Sequence, residues 1–252
     1  MEPEARSGDL ALVDALRVIA RRRVFFGHRS VGEDLLLGLG ELASESGVEL
    51  RILDASSTPP ASGGVLLHAR VGTNRDPRSK FAAFGDALLA LRGAALDSAL
   101  LKLCYVDVEA ATDRSALLDA YGAALRGWRA AHPGLRFVHV TVPLTCGARG
   151  WRLMLKRRLG RSDWTDADNT ARALFNDELL STFAADPTVD LAAAESVDGR
   201  GRAAEFRVRD GGIALRARSL VPAFSDDGGH LNAKGRQVVA ARFARALAAA
   251  LA

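Results

Sequence analysis

The order of apolar segments along this chain predicts an α/β fold: three layers, α/β/α, around a mostly parallel central sheet, with a β-hairpin inserted near 205–218. Three observations carry the prediction. Short apolar runs alternate with stretches of helical periodicity, the pattern of strand–helix–strand units. The runs at 24–26, 99–108 and 137–142 are mostly apolar, as strands covered on both faces must be. Near 205–218 the pattern changes to strict alternation on both sides of Asp210-Gly211-Gly212, which reads as an antiparallel hairpin.

The elements follow in order. Residues 9–22 carry Leu10, Leu12, Val13, Leu16, Val18 and Ile19 at helical spacing, with arginines at the end. Val24-Phe25-Phe26 is a short strand stopped by Gly27, and helical spacing resumes from Ser30 with Val31, Leu35, Leu36, Leu39 and Leu42. A second strand is expected at 48–53, then a loop rich in Gly, Pro and Ser, then Val65-Leu66-Leu67 and a polar loop at 72–77. Residues 80–92 are helical, 99–108 form a central strand, and Asp113 caps a helix running to about 131. A strand at 137–142 ends at Pro143. The stretch 151–185 is mainly helical with an interruption near 160–165, a short strand is expected at 189–191, and residues from 234 onward form the last helix.

The chain of 252 residues is long enough for one sizeable domain. No repeat, linker or shift of composition divides it, so one domain over 1–252 is expected. With 48% hydrophobic and 25% charged residues it can bury a core. The formal net charge is +4. Basic residues are scattered apart from Arg21-Arg22-Arg23 and the stretch 156–161. A basic cluster could attract phosphates, but arginines at a helix end also suit the dipole, and no nucleic-acid partner is expected. No apolar run is long enough to span a bilayer, and the N-terminus lacks the pattern of a signal peptide. A cytoplasmic protein without a membrane partner is the default. Two cysteines, Cys104 and Cys146, make neither a disulfide scaffold nor a zinc site, and neither a metal nor another cofactor is expected.

The chemistry gathers at two places. Ser30, in Phe26-Gly27-His28-Arg29-Ser30-Val31-Gly32, lies where a strand ends and a helix begins. Ligands of open α/β sheets bind at such carboxyl ends, and helix N-termini offer free N–H groups to a developing oxyanion. The alternative is an ordinary N-cap serine. Near the C-terminus, Asp227 and His230 stand three apart in a glycine-rich loop before the last helix. That spacing lets the carboxylate hold imidazole Nδ1–H and leaves Nε2 as a base toward a serine; a capping Asp beside a solvated His is the alternative.

Together these segments resemble the SGNH/GDSL hydrolase superfamily, and more narrowly an atypical bacterial branch with Gly-His-x-Ser-Val-Gly as first block and Asp-x-x-His-Leu-Asn as last. The resemblance extends over 27–32, 68–77, 102–107, 169–176, 190–196 and 227–232. It implies a flavodoxin-like arrangement of the sheet, with Ser30, Asp227 and His230 catalytic and Gly72 giving a backbone N–H to the oxyanion. Two features depart from the family. Arg29 stands where an acid precedes the serine, and the block Gly-x-Asn-Asp is replaced by Cys104-Tyr105-Val106-Asp107. Asn74 is therefore expected to supply the missing amide donor, with turn-shaping as its alternative. Asp107, an acceptor when ionised, is suited to orienting a neighbour.

His28 either faces the site or packs on the strand. His68 precedes the second block, and His139, inside an apolar run, reads as a satisfied core residue. Asn169, Arg172 and Asn176 share a helical face that lines a cleft or holds a hydrogen-bond network, and Glu195-Ser196 are further polar positions of this branch. The expected function is an esterase or deacylase acting on a small-molecule or carbohydrate ester. An acyltransferase on the same residues and a non-catalytic ligand-binding relative are the alternatives. The hairpin, which leads into the Asp227 loop, is expected to flank or partly cover the site.

Overall fold

The computed structural model describes residues 3–147, 164–210 and 213–252. Among these, six parallel strands form the central sheet: β1 (Arg23–His28), β2 (Ile52–Asp54), β3 (Val65–Arg70), β4 (Ser98–Leu101), β5 (Arg136–Val140) and β6 (Thr188–Val189). Their order is β2-β3-β1-β4-β5-β6. The described helices are α1 (Pro3–Ala20), α2 (Val31–Glu45), α3 (Pro77–Ala90), α4 (Arg114–Ala131), α5 (Trp164–Thr182), α6 (Leu191–Ser196) and α7 (Ala233–Leu251).

Period-two alternation along the strands divides the core in two. Val24 and Phe26 of β1, with Leu66, Leu100, Val138 and Val140, meet α1, α2 and α7 on one face. Phe25, with Val65, Leu67, Ala99, Leu101 and Phe137, meets α3, α4 and α5 on the other. Phe25 stacks on Phe84 at 5.3 Å between centroids, and Phe26 meets Phe243 at 5.8 Å. Burying each such ring contributes about 1.5–3 kcal/mol. The three-layer expectation therefore holds. From β1 the chain crosses over α2 on one face to reach β2 and β3, then over α3 on the other face to reach β4. The connections thus reverse direction at β1, the switch point where open α/β sheets form a crevice.

The differences from the sequence reading have physical causes. The apolar run 99–108 contains a strand only over Ser98–Leu101; the chain then leaves the sheet and makes a 3-10 turn at Tyr105–Asp107. Its apolar character persists because Leu103, Cys104 and Val108 stay buried outside the sheet. Of the expected strand at 48–53 only Ile52 and Leu53 pair with β3, and the pairing runs one residue further, to Asp54. At 189–191, Val189 ends β6 and Asp190 caps α6, its carboxylate accepting the Ala193 N–H at 3.0 Å. Asp76, Asp113 and Asn232 cap α3, α4 and α7 in the same way. Residues 151–163, including the basic stretch 156–161, and the turn residues 211–212 lie outside the described residues. Arg21 and Arg22 are exposed at the end of α1.

The hairpin is present as β7 (Glu205–Asp210) paired antiparallel with β8 (Ile213–Arg218). It packs against α5 and α6, and in the segment that leaves β8 Leu220 N–H donates to Thr145 O at 3.1 Å and Val221 N–H to Glu195 O at 3.0 Å. Among the described residues, no helix is long and apolar enough to cross a membrane.

Candidate active site

Two segments remote in sequence meet at the carboxyl end of β1. Ser30 stands directly before α2 with φ 54° and ψ −116°. A non-glycine residue adopts such a conformation at a cost of roughly 1–3 kcal/mol, and these residues cluster at functional sites. The strained corner turns strand sharply into helix, the geometry that presents a nucleophile at the top of a sheet. The Ser30 side chain makes no cap bond to α2, so the N-cap alternative does not describe it. Its Oγ lies instead 2.6 Å from His230 Nε2. Gly32 lets this corner form, because a Cβ there would collide with the His28 side chain.

His230 is held by its own loop. Asp227 Oδ1 accepts the N–H groups of Gly229 and His230, both at 2.8 Å, and the Ser225 hydroxyl at 3.1 Å. Asp227 Oδ2 lies 2.6 Å from His230 Nδ1. Burial alone would raise the Asp227 carboxyl. The bonds from Gly229, the His230 ring and the His230 N–H outweigh it and hold the group well below the usual carboxylate range. An ionised carboxylate only accepts. Nδ1 therefore carries the imidazole proton, Nε2 is the acceptor, and the Ser30 hydroxyl donates to it. The loop is tied on two sides: Leu231 N–H donates to Asp34 on α2 at 3.1 Å, and Cys146 N–H donates to Gly228 O at 2.8 Å. The Tyr105 ring stands edge-on to His230 with centroids 6.0 Å apart. The His230 and Asp227 side chains are 47% and 57% exposed, which leaves the imidazole open to an incoming molecule.

Gly72 lies beside the serine corner. Val71 N–H donates to His28 O at 3.1 Å, and Arg29 Nε donates to Val71 O at 3.2 Å. Gly72 has φ 58°, and a Cβ on it would collide with the Lys80 backbone, so glycine is required twice over. Among the described residues, the N–H groups of Ser30 and Gly72 donate to no protein acceptor. Asn74 follows in an exposed turn closed by Asp76 N–H to Thr73 O at 3.3 Å, and its Oδ1 accepts from Lys80 Nζ at 3.1 Å. Asp107 is buried beneath this turn. It accepts from Lys80 Nζ, from Cys104 N–H at 2.7 Å and from Arg75 N–H at 3.0 Å. Asp107 thus orients neighbours, and Lys80, which sequence reasoning missed, is its cation.

The remaining positions are scaffolding. Asn176 accepts Val142 N–H at 2.7 Å and donates to Val142 O at 3.0 Å. Asn169 does the same for Thr145, at 3.0 and 2.7 Å. Glu195 accepts Leu144 N–H. These side chains stand in for a neighbouring strand along 141–146, the segment that anchors the Asp227 loop through Cys146. Arg172 donates to the carbonyls of Tyr105 and Val108 at 2.8 and 3.0 Å, which fixes the turn carrying Tyr105. Ser196, also buried, turns its hydroxyl back to Ala193 O at 3.1 Å. The shared face of 169, 172 and 176 holds a network.

His28 packs on the strand. It stacks on Phe26 at 5.0 Å, and its Nε2 meets His68 Nδ1 at 3.2 Å. Burial, helped by the Lys102 cation, pushes its pKa down to about 3. His139 is buried between the Tyr121 hydroxyl at 2.7 Å and Asp186 at 3.1 Å. Both cysteines are buried. Among the described residues, no cluster of three or more His, Cys, Asp or Glu side chains is placed to hold a metal ion.

No protein-family model matches the chain, and no curated protein sequence matches it. Solved structures do resemble it in outline. One is a proposed platelet activating factor from Streptococcus pneumonia, 14% identical, with 99% of this chain and 93% of that chain covered at a TM-score of 0.48. A second is the lipopolysaccharide acetyltransferase periplasmic domain of Salmonella ser. Paratyphi A, 14% identical, with 91% and 84% covered at 0.47. A third, from Desulfitobacterium hafniense, is proposed to be a lipolytic protein of the G-D-S-L family; it is 7% identical, with 89% and 99% covered at 0.46. Likeness at this level leaves the chemistry of the chain to its own side chains.

Proposed function

We propose that this chain is a serine hydrolase of the SGNH/GDSL type that acts on acyl esters. Ser30 is the nucleophile, His230 the base and then the acid, and Asp227 the group that orients and stabilises the imidazole. The observation that carries the reading is the unbroken chain of two 2.6 Å hydrogen bonds from Ser30 Oγ through His230 to Asp227. The strained backbone of Ser30 supports it, because a merely capping serine needs no such corner.

In this reading Ser30 Oγ attacks the acyl carbonyl carbon as its proton passes to His230 Nε2. The carbonyl oxygen becomes an oxyanion facing the N–H groups of Ser30 and Gly72 and the side-chain amide of Asn74. Collapse breaks the bond to the alcohol oxygen, which leaves with the proton from Nε2. Water then gives its proton to His230, attacks the acyl-enzyme, and releases the acid and free Ser30. The substrate class is a small-molecule or carbohydrate ester. An alcohol acceptor in place of water would give acyl transfer through the same acyl-enzyme, and the half-exposed His230 suits either entrant.

A fluorophosphonate probe and short-chain nitrophenyl esters test the proposal. The wild-type protein is expected to be labelled at Ser30 and to turn the esters over, and Ser30→Ala to lose both. Equal labelling of Ser30→Ala, or neither labelling nor turnover by the wild type, would sink it.

A further inference from the structure

We infer that the buried Lys80–Asp107 ion pair is a positioning device that fixes the side-chain amide of Asn74 with its N–H groups free for the oxyanion. The inference rests on the serine-hydrolase reading above. Lys80 is 1% exposed, and its ammonium reaches Asp107 Oδ2 and Asn74 Oδ1. An ammonium only donates, so the Asn74 atom that it meets is the carbonyl oxygen and Nδ2 takes the opposite end. Among the described residues, Nδ2 donates to no protein acceptor. The side chain is therefore rotated so that its donor end is the unused one.

The surroundings are built for the same end. A buried ion pair is seldom more stable than an apolar pair of the same size, so its stability does not explain it, and specification of a conformation is its better attested use. This pair joins three elements: Lys80 on α3, Asp107 on the turn after β4, and the 73–76 turn, whose Arg75 N–H donates to Asp107 Oδ1 at 3.0 Å. Arg75 holds φ 65°, a left-handed conformation that a non-glycine residue keeps only under constraint. Asp107 supplies the constraint from below and Lys80 sets the amide from the side. A donor oriented before the reaction needs no reorganisation as charge develops. Asp107 occupies the part of the chain where the family's third block would fall, so an acid acting through a lysine and an asparagine would take over a task done there by one side chain.

A double-mutant cycle on nitrophenyl ester hydrolysis tests the inference. Asn74→Ala is expected to lower kcat by about a hundredfold with little change in KM. Lys80→Met is expected to lower kcat by about tenfold or more, and the double variant to be no slower than Asn74→Ala alone. An equal loss from Lys80→Met in both backgrounds would make Lys80 structural only, and Asn74→Ala within about twofold of wild type would remove its target. Either result overturns the inference. Because Lys80→Met leaves Asp107 buried without its cation, Asn74→Asp provides an arm that folds. A carboxylate beside Lys80 should leave Tm at pH 7 unchanged or higher, while kcat falls about a hundredfold because the amide donor is gone. A lower Tm with kcat retained would overturn the inference. Ser30 labelling of the wild type separates the two levels. A labelled wild type with a failed cycle sinks this inference alone, whereas no labelling and no turnover sinks the hydrolase reading and this inference with it.

Discussion

Asp227 divides its two oxygens between two tasks. Oδ1 gathers two backbone N–H groups and Oδ2 takes the His230 ring, so the loop and the tautomer are set by one side chain. Asn in its place would keep its carbonyl oxygen on the two N–H groups and turn its NH₂ toward Nδ1. The imidazole proton would then move to Nε2, which could no longer accept from Ser30. Asp227→Asn should therefore lower kcat by about 10³–10⁴-fold with Tm within a few degrees of wild type. A kcat within tenfold of wild type, measured on a nitrophenyl ester, would remove Asp227 from the proposed mechanism. The Asp-x-x-His pair was legible because its geometry is local: two residues three positions apart in one loop. Ser30 was legible only through that pair, since nothing in the serine code announces a left-handed backbone. Lys80 was missed because its partners lie 6 and 27 positions away. The sequence signalled only Lys102, a lysine inside an apolar run; Lys80 follows the polar stretch 73–79 and yet is as fully buried as Lys102.

Among the elements, the segment 141–146 explains why a helix carries so many polar residues inward. It follows β5, pairs with little of the sheet, and borrows its backbone partners from α5 and α6. Periodicity identified the face of 169, 172 and 176 but not what covers it, because a helical repeat describes one surface and never the surface opposite. The same limit applies to 99–108, where burial and strand pairing are separate conditions and only the first is written in the hydrophobicity. The hairpin was the most legible element, since alternation and a Gly-Gly turn are both local. Its packing depends on contacts with α5 and α6 that its own residues do not encode. Asn176 is 4% exposed and satisfies both backbone groups of Val142. Asn176→Ala strands a buried donor and a buried acceptor, and urea unfolding should register a loss of about 2–4 kcal/mol. A loss under about 1 kcal/mol would mean that the segment finds other partners.

For the whole molecule, apolar runs revealed a parallel sheet between two layers, while strand order comes from pairings tens of residues apart that no local pattern records. The layering also buries ionisable groups at the carboxyl end of the sheet, and these shape stability against pH. Glu195 is 1% exposed. Burial raises its carboxyl to about 8, against the downward pull of the Leu144 N–H and of the Lys102 and Arg172 cations, with Asp190 pushing upward. In the unfolded chain the same group ionises from 4.5. The folded state thus holds a proton that the unfolded state releases. The resulting contribution is fully present below about 4.5, is lost as pH rises toward 8, and levels off above it. His28 acts on the other side: held neutral down to about 3, it costs stability as pH falls below 6.5 and the unfolded chain takes up a proton. Glu195→Gln separates these effects. Its amide oxygen can still accept the Leu144 N–H, while the group no longer ionises. His28 and Lys102 are common to both proteins and leave the difference between them. Urea midpoints at pH 5, 7 and 9 should therefore decline less steeply for Glu195→Gln than for wild type, with the variant gaining on wild type at each step. Parallel curves would mean that Glu195 is ionised in the folded protein at neutral pH, paired with Lys102 or Arg172 strongly enough to overcome its burial.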